Sequence, residues 1–411
     1  MNNRDIMELT AHHVANTYNR FPIAIVRGSG CRVWDADGKG YLDFTSGLAV
    51  CNLGHCHPAV VEAIKSQAEK LIHISNLYHI GPQAELARLL THNSFADKVF
   101  FCNSGAEANE AAIKLARKHF STRGEGRFQI ISMEKSFHGR TFAALAATGQ
   151  KKFQAGFEPL LERFTYVPFN DIDAVRRAIG PATAAVMVEP IQGEGGVNVP
   201  ADDYLKRLKG LCRENGVLLI FDEVQVGMGR TGALFACENY GTSPDIMTLA
   251  KGLAGGVAIG AMLATDEVAR AFTPGTHAST FGGNPLAASA GIAALKTIID
   301  GGVLDNCRAA GGRLYDRLDR IKDRYPFIKD LRGRGLILGM ELDGAVNGAD
   351  IVKECLKRGL LINCIGDHIL RFIPALIVSE KEVDEMAGIL EGVLEDLVDG
   401  WSNNNPPPES E

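Results

Sequence analysis

Short apolar runs alternate with amphipathic segments over the central part of the chain. From Pro58 the pattern first predicts two helices, Pro58 to Leu71 and Gln83 to Leu90, the first with a proline in its first turn. Runs of strand length follow, mostly apolar on both faces, as in buried parallel strands. These runs are Lys98 to Phe101, Phe128 to Ser132, Ala184 to Val188, Val217 to Phe221, Ile246 to Ala250 and Gly260 to Ala264. The pattern predicts an α/β fold with a mainly parallel central sheet.

The two ends of the chain show a different pattern. Three short runs between residues 24 and 44, with a glycine turn at Gly38-Lys39, predict a small antiparallel sheet. After residue 335, two further strands (Leu360 to Cys364 and Ile369 to Ile373) between helices predict a smaller α+β domain. We therefore predict an N-terminal segment 1–54 that joins the small domain, a large domain 55–305, a C-terminal small domain 306–398 and a disordered tail 399–411.

Composition excludes several classes of partner. The 411 residues are 46% hydrophobic with a formal net charge of -6, and lysine and arginine are scattered among the acids, so neither nucleic acid nor an anionic membrane is an expected partner. We find no signal-peptide core and no apolar stretch of about 18 residues that could span a membrane. The nine cysteines are odd in number and form no CxxC pair. We expect a cytoplasmic protein that acts on small molecules.

Charged side chains follow three of the predicted strands directly. The strand that ends at Phe221 is followed by Asp222, and two others are followed by Glu189 and Lys251. Ligands of open parallel sheets bind at the carboxyl ends of the strands, so these three groups are expected in one crevice. The alternative is a rim of ion pairs without chemistry.

Lys251 and Asp222 are the residue types that pyridoxal phosphate (PLP) chemistry needs. Lys251 lies between Ala250 and Gly252 with leucines nearby, and apolar surroundings favour the neutral amine that forms a Schiff base. A carboxylate such as Asp222 beside the pyridine nitrogen keeps that nitrogen protonated, so that the ring can accept electrons from the substrate. We predict these two residues to be catalytic, although a lone lysine before a glycine turn is more often a surface residue.

A phosphate site is predicted where the first strand of the sheet meets a helix. Ser104, Gly105 and Ala106 follow that strand and begin a strongly helix-forming segment, whose free amides and dipole favour an anion. Ser104 with Glu107 could also be a capping box without a ligand. Phe137 and Arg140 follow the next strand and offer an aromatic face and a cation near the same crevice.

Two other motifs are less consistent with their usual functions. Residues 227–232 match GxGxxG, but they follow Asp222 and Glu223, which would repel a pyrophosphate. A group of cysteines and histidines at 51–57 lacks a second ligand pair at zinc spacing, so we predict no metal site.

Several motifs together resemble the class III (ornithine/acetylornithine) aminotransferases, which are PLP enzymes of fold type I. The resemblance runs from about Tyr18 to Val378. It rests on the segments 102–109, 137–140, 189–196, 221–225 and 280–284 and on Lys251.

The resemblance implies a role for each matching residue. Lys251 would carry PLP, Asp222 would pair with the pyridinium, Gln225 would contact the ring hydroxyl and Phe137 would stack on the ring. Gly105 and Ala106 would hold the phosphate, and Thr280 would reach it from a partner subunit, which implies an obligate homodimer. The implied cofactor site also includes Ser104, Glu189 and Val224.

The resemblance further implies how one pocket accepts two substrates. Arg371 would bind the α-carboxylate of glutamate or 2-oxoglutarate, and Glu194 would pair with Arg371 when an ω-amine is bound. Arg140 would take the distal carboxylate in both cases, and Ser279 is a further predicted substrate contact.

The nearest resemblance is to members that act on acylated ornithine. Ornithine aminotransferases carry a tyrosine where this chain has the apolar Leu48. We therefore expect transfer of the δ-amino group of N2-acetyl-L-ornithine to 2-oxoglutarate, with succinylornithine, ornithine or 4-aminobutyrate as alternative donors. An aminomutase and a non-enzymatic PLP-binding protein are less favoured alternatives. The chain departs from the usual family sequence at Val257-Ala258 and at Ala278.

Overall fold

The computed structural model describes residues 1–344 and 346–404, with side chains through residue 398. The strands in this part of the chain are β1 (Ile25–Ser29), β2 (Arg32–Asp35), β3 (Gly40–Asp43), β4 (Lys98–Cys102), β5 (Gln129–Met133), β6 (Phe164–Val167), β7 (Thr183–Val188), β8 (Leu218–Asp222), β9 (Ile246–Leu249), β10 (Gly260–Ala264), β11 (Ile328–Arg334), β12 (Ile337–Leu342), β13 (Leu360–Leu361), β14 (Asn363–Ile365) and β15 (Ile369–Phe372).

The helices of the same residues are α1 (Asn3–His13), α2 (Ser46–Ala49), α3 (Pro58–Ala68), α4 (Gly81–His92), α5 (Gly105–Ser121), α6 (Phe142–Ala147), α7 (Lys151–Gln154), α8 (Ile172–Ala178), α9 (Tyr204–Glu214), α10 (Asp266–Ala269), α11 (Pro285–Asp300), α12 (Val303–Arg324), α13 (Gly348–Lys357) and α14 (Glu380–Asn404). Two short 3-10 helices span Ala236–Tyr240 and Lys251–Ala254.

The central sheet has the strand order β4-β10-β9-β8-β7-β5-β6. Strand β8 is parallel to β7 and β9, and β5 is parallel to β6 and β7. All residues of β7, β8, β9 and β10 are buried, in accord with their apolar sequences. The predicted α/β class and mainly parallel sheet are confirmed.

Strand β10 differs from the other strands of this sheet in its direction. It is antiparallel to both of its neighbours, β4 and β9. Its bounds match the predicted run Gly260 to Ala264, but the expectation that this run is a parallel strand is wrong. An apolar strand is equally well buried in either direction, so its sequence carries no signal for this.

Two smaller sheets are built from the ends of the chain. The first has the order β1-β2-β3-β13 and the other the order β11-β12-β15-β14. The predicted strand Leu360 to Cys364 is in fact divided between them, because β13 pairs in parallel with β3 and β14 pairs with β15. The N-terminal strands therefore share a sheet with the C-terminal region. The domain limits given above stay a prediction.

The last helix, α14, ends at Asn404, so residues 399–404 of the segment predicted as a disordered tail are helical, and residues 405–411 lie outside the described residues. No single helix of the described residues is long and apolar enough to cross a membrane. Helices α11 and α12 pass that test only as a pair, and they are bent by 66° relative to each other.

Candidate active site

A cavity of about 410 Å³ lies where the carboxyl ends of β4, β7, β8 and β9 meet. The predicted site residues that line it are Ser104, Gly105, Ala106, Phe137, Arg140, Glu189, Glu194, Asp222, Val224, Gln225 and Lys251. The lining also includes residues outside the predicted site, among them Val50, Asn103, Asn109, His138 and the segment 256–259. Most of the predicted site is thus brought together within one chain.

Asp222, the last residue of β8, is held on both carboxylate oxygens. Its Oδ2 accepts hydrogen bonds from Asn109 Nδ2 and His138 Nδ1, each at 2.7 Å, and its Oδ1 accepts one from the amide of Val224 at 3.0 Å. These directed donors fix the orientation of the carboxylate. Asp222 is therefore a buried, oriented carboxylate that lines the cavity.

His138, in the segment after β5, and Asn109, on α5, both donate hydrogen bonds to Asp222. Burial opposes protonation of His138, but the hydrogen bond and charge of Asp222 raise the pKa of this imidazole above its usual value. Asn109 lies on the buried face of α5, and its Oδ1 accepts a hydrogen bond from Thr248 on β9 at 2.7 Å. Asn109 is a polar residue in the apolar stripe of α5, which is a sequence signal for a buried functional side chain, but it was not among the predicted site residues.

Lys251 follows β9 after one intervening residue, Ala250, and lines the same cavity as Asp222. Its φ of 42° lies in the left-handed region, which non-glycine residues rarely adopt and which occurs at functional sites. A Cβ on the next residue, Gly252, would lie 2.4 Å from Asn52 Nδ2, so a glycine is required there. Burial lowers the pKa of Lys251, although Glu194 partly offsets this, so the neutral amine is favoured.

Glu189 lies at the end of β7 and orients the neighbouring backbone. Its Oε1 accepts a hydrogen bond from the amide of Phe137 at 2.9 Å, and its Oε2 accepts one from the amide of Gly193 at 3.3 Å. Burial, assisted by the charge of Asp222, raises the pKa of Glu189 to about 7. Glu189 thereby positions the main chain that presents Phe137 to the cavity.

The N-terminus of α5 forms an anion cradle. Ser104 is the N-cap and its hydroxyl accepts a hydrogen bond from the amide of Glu107 at 3.2 Å, while the Glu107 carboxylate accepts one from the amide of Asn103. Ser104 therefore caps the helix, but the Glu107 carboxylate binds the amide of Asn103 and not that of Ser104, as it would in the predicted capping box. The amides of the first helical turn have no partners within a helix, so those of Gly105 and Ala106 are available to a ligand.

Gly105 also allows a close approach of two elements. A Cβ at this position would lie 2.7 Å from Val224 Cγ1. The absence of a side chain lets the start of α5 pack directly against the segment that follows Asp222.

Glu194, Gln225 and Arg371 form a hydrogen-bonded group at one side of the cavity. Glu194 Oε1 accepts hydrogen bonds from Arg371 Nη1 at 2.7 Å and from Gln225 Nε2 at 3.0 Å. Arg371 lies on β15 and is only 1% exposed. Burial opposes ionisation of Glu194, but the charges of Arg371 and Lys251 lower its pKa to about 2. The carboxylate thus neutralises a buried guanidinium.

Four predicted site residues do not line this cavity within the chain. Arg371 contacts the lining residue Glu194, Leu48 is 46% exposed, and Ser279 and Thr280 line a separate cavity of about 590 Å³. Ser279 is still linked to the main cavity, because its hydroxyl accepts a hydrogen bond from Asn103 Nδ2 at 3.2 Å.

The two unassigned motifs have structural contacts. Glu223 accepts hydrogen bonds from the amides of Ala236 and Cys237, at 2.6 and 2.8 Å, and does not line the cavity. Arg230, within the glycine-rich segment 227–232, is fully buried and donates to Asn52 Oδ1 at 2.6 Å. His55 is hydrogen bonded to Asp43 at 2.8 Å, and the described residues contain no group of three or more potential ligands for a metal ion.

Comparisons with known proteins give a consistent picture. A family model described as aminotransferase class-III matches residues 13–394. The acetylornithine aminotransferase of Caldanaerobacter subterraneus subsp. tengcongensis is 53% identical, covering 94% of this chain and 98% of its own length. That of Methanocaldococcus jannaschii is 50% identical, covering 97% and 100%.

Solved structures are similar over nearly the whole chain. The ornithine aminotransferase of Toxoplasma gondii ME49 superposes with a TM-score of 0.94 at 34% identity, covering 97% of this chain and 96% of that chain. The acetylornithine aminotransferase of Elizabethkingia anophelis gives a TM-score of 0.86 at 33% identity, covering 96% and 100%.

Proposed function

Because the chain belongs to the class III aminotransferases, we propose that it moves the δ-amino group of N2-acetyl-L-ornithine to 2-oxoglutarate, giving N-acetyl-L-glutamate 5-semialdehyde and L-glutamate. It is a PLP-dependent aminotransferase with the fold of type I PLP enzymes, as predicted. The observation that carries the choice of substrate is the identity of about 50% to several acetylornithine aminotransferases over almost the full chain.

The residues of the cavity fit PLP. The free amides at the start of α5 suit its phosphate, and the buried carboxylate of Asp222 suits a protonated pyridine nitrogen. Burial lowers the pKa of Lys251, which favours the neutral amine that condenses with an aldehyde. When bound, PLP supplies a ring that accepts electrons from the carbon that loses a proton.

We assign the chemical steps on the protein side to three residues. With PLP bound, Lys251 Nζ would take the proton from the carbon that bears the substrate amine and would give it back during transfer. Asp222, oriented by His138, maintains the positive charge at the ring nitrogen and so stabilises the transition state electrostatically.

Substrate binding is assigned to the two arginines of the site. Arg371 is neutralised by Glu194 in this structure, a state that suits an amine-bearing substrate. If the carboxylate of 2-oxoglutarate displaces Glu194, Arg371 becomes available to bind it. Arg140, at the mouth of the cavity, is assigned to the carboxylate at the other end of either substrate.

We further propose a homodimer in the cytoplasm that serves arginine biosynthesis. Ser279 and Thr280 line a separate cavity of the chain, which supports the idea that Thr280 completes the phosphate site of a partner subunit. All nine cysteines are free thiols, which supports a reducing compartment.

Steady-state kinetics with a panel of amine donors tests the substrate. N2-acetylornithine, N2-succinylornithine, ornithine and 4-aminobutyrate are compared with 2-oxoglutarate as acceptor. We expect the highest kcat/KM with acetylornithine. A higher value with succinylornithine would indicate the catabolic enzyme, whereas turnover without 2-oxoglutarate would indicate an aminomutase.

A further inference from the structure

The short helix α7 is fixed to the segment that carries the ring-stacking and carboxylate-binding residues. The side chain of Gln154 donates hydrogen bonds to Thr148 O at 2.8 Å and to Tyr166 Oη at 2.9 Å. Just before α7, Gln150 Nε2 donates to the carbonyl oxygens of Lys135 and Ser136, each at 3.1 Å. Since Phe137 follows Ser136 directly, α7 and Phe137 are held in one local framework.

Phe153 of α7 contacts both functional side chains of that segment. The centroid of its ring lies 5.5 Å from that of Phe137 at an interplanar angle of 81°, an edge-to-face arrangement. The guanidinium carbon of Arg140 lies 4.1 Å from the centroid of Phe153, closer than the 5.6 Å to the centroid of Phe137. The ammonium of Lys152 lies 4.8 Å from the same centroid, so Phe153 has two cations against it.

We propose that Phe153 is a positioning residue that holds the Arg140 guanidinium at the cavity mouth and thereby sets the affinity for the substrate carboxylate. The inference deepens the proposed function and rests on it, because it takes Arg140 as the carboxylate-binding group. Arg140 is exposed, and a free arginine side chain would lose rotamer freedom on binding. A ring that already holds the cation removes part of that loss, which is preorganisation.

Binding of glutarate, an unreactive dicarboxylate, to the PLP-loaded enzyme provides the test by isothermal titration calorimetry. Phe153→Leu removes the ring and keeps an apolar side chain. We expect its Kd for glutarate to rise about two- to fivefold, the effect of one exposed cation–π contact. Phe153→Tyr keeps the ring and should bind glutarate as the wild type does. Phe157→Leu, at a 56% exposed phenylalanine outside the cavity, is the matched control.

A double-mutant cycle with Arg140→Gln shows whether Phe153 acts through Arg140. If it does, Phe153→Leu has no further effect on glutarate binding once Arg140 is replaced. Full additivity of the two losses would overturn the inference, as would unchanged binding by Phe153→Leu while Arg140→Gln weakens it. If Phe153→Leu does not fold, Phe153→Met allows the same comparison.

A second measurement separates this inference from the proposed function. In single-turnover reactions, Phe153→Leu should slow the reaction with acetylornithine at low concentration but not that with 1-aminobutane, an amine without a carboxylate. Equal losses with both amines would contradict the inference. If Arg140→Gln leaves glutarate binding unchanged, the proposed role of Arg140 fails and the inference fails with it, whereas failure of Phe153→Leu alone leaves the proposed function intact.

Discussion

Asp222 accepts hydrogen bonds from Asn109, His138 and the amide of Val224, and an amide in its place could not accept all three. We predict that Asp222→Asn retains PLP through the phosphate contacts but loses on the order of 10²–10³ in kcat, the scale of a lost electrostatic contact to the transition state. Turnover and bound PLP are measured on the same preparation.

The adjacent acid provides a control for Asp222→Asn. Glu223 accepts hydrogen bonds from the amides of Ala236 and Cys237 and does not line the cavity. Glu223→Gln should therefore lower the melting temperature but have little effect on kcat. Near-normal kcat in Asp222→Asn would show that another group maintains the charge on the ring nitrogen.

The ion pair of Glu194 and Arg371 predicts a dependence of stability on pH. The pKa of Glu194 is lowered to about 2 in the folded protein, below the usual value of 4.5, so the pair contributes fully above about pH 4.5 and its contribution is lost as the pH falls toward 2. A difference of this size corresponds to at most about 3 kcal/mol in the free energy of unfolding. We predict that Glu194→Gln flattens this part of the profile.

Urea unfolding of the wild-type protein and of Glu194→Gln between pH 3 and 6 measures the difference between their two stability profiles. Glu189 and Glu223 have raised pKa values, about 7 each, and work in the opposite direction: their burial costs stability as the pH rises from about 4.5 to 7. Both are present in either protein, so the difference between the profiles isolates Glu194. Parallel profiles would contradict the prediction.

At the residue scale, the sequence was informative where function depends on position at a strand end. Lys251 and Asp222 could be predicted because each directly follows an apolar run. The donors to Asp222 could not, because Asn109 and His138 lie 113 and 84 positions away from it along the chain. Nothing in the local pattern shows which distant polar side chain will meet a given carboxylate.

At the scale of elements, the junction of α5 with the segment after β8 depends on Gly105. A Cβ there would meet both methyl groups of Val224, at 2.7 and 3.0 Å, so Gly105→Ala must displace one of the two elements. Overpacking of this kind costs about 1–3 kcal/mol, and we predict that the Kd for PLP rises at least tenfold. Equilibrium dialysis or fluorescence quenching of the apoprotein measures this Kd.

A second substitution tests the cause of that loss. Val224→Ala removes the methyl groups, so the pair Gly105→Ala, Val224→Ala should bind PLP more tightly than Gly105→Ala alone. Val224→Ala by itself serves as the control. If the double variant is no better, the loss comes from the helix terminus and not from crowding.

Helices and strands could be predicted from the sequence where an apolar pattern marks a buried segment. The predicted bounds of β10 agree with the structure, but its antiparallel direction was not predicted. The strand predicted over residues 360–364 is shared between two sheets. Helix α1 and strands β6 and β11 were not predicted at all. Pairing depends on partners far along the chain: Leu360 pairs with Leu42.

At the scale of the whole molecule, exposed apolar side chains lie close to the cavity that contains Thr280. Leu77 and Tyr78 are 87% and 64% exposed, Phe281 is 58% exposed, and the neighbouring Asn76 donates hydrogen bonds to Ser279 O and Gly282 O. Such a patch is typical of a protein interface. We predict that Leu77→Glu shifts a dimer toward monomers and reduces bound PLP.

Analytical ultracentrifugation over a range of concentrations measures the dimer equilibrium. Tyr315→Glu, at a 37% exposed position on α12, introduces the same charge elsewhere and should leave the dimer intact. A monomeric wild-type protein that binds PLP fully would rule out the shared site.

The reversed direction of β10 has a consequence for how this enzyme could diverge. Because β10 runs against β4 and β9, the loop that leads into it arrives at the edge where those strands end, and residues 256–259 line the cavity together with the start of α5 and Lys251. That loop includes Val257 and Ala258. A change there alters the wall of the pocket without touching a residue of the sheet, so this loop is a place where substrate preference can vary while the catalytic framework is preserved.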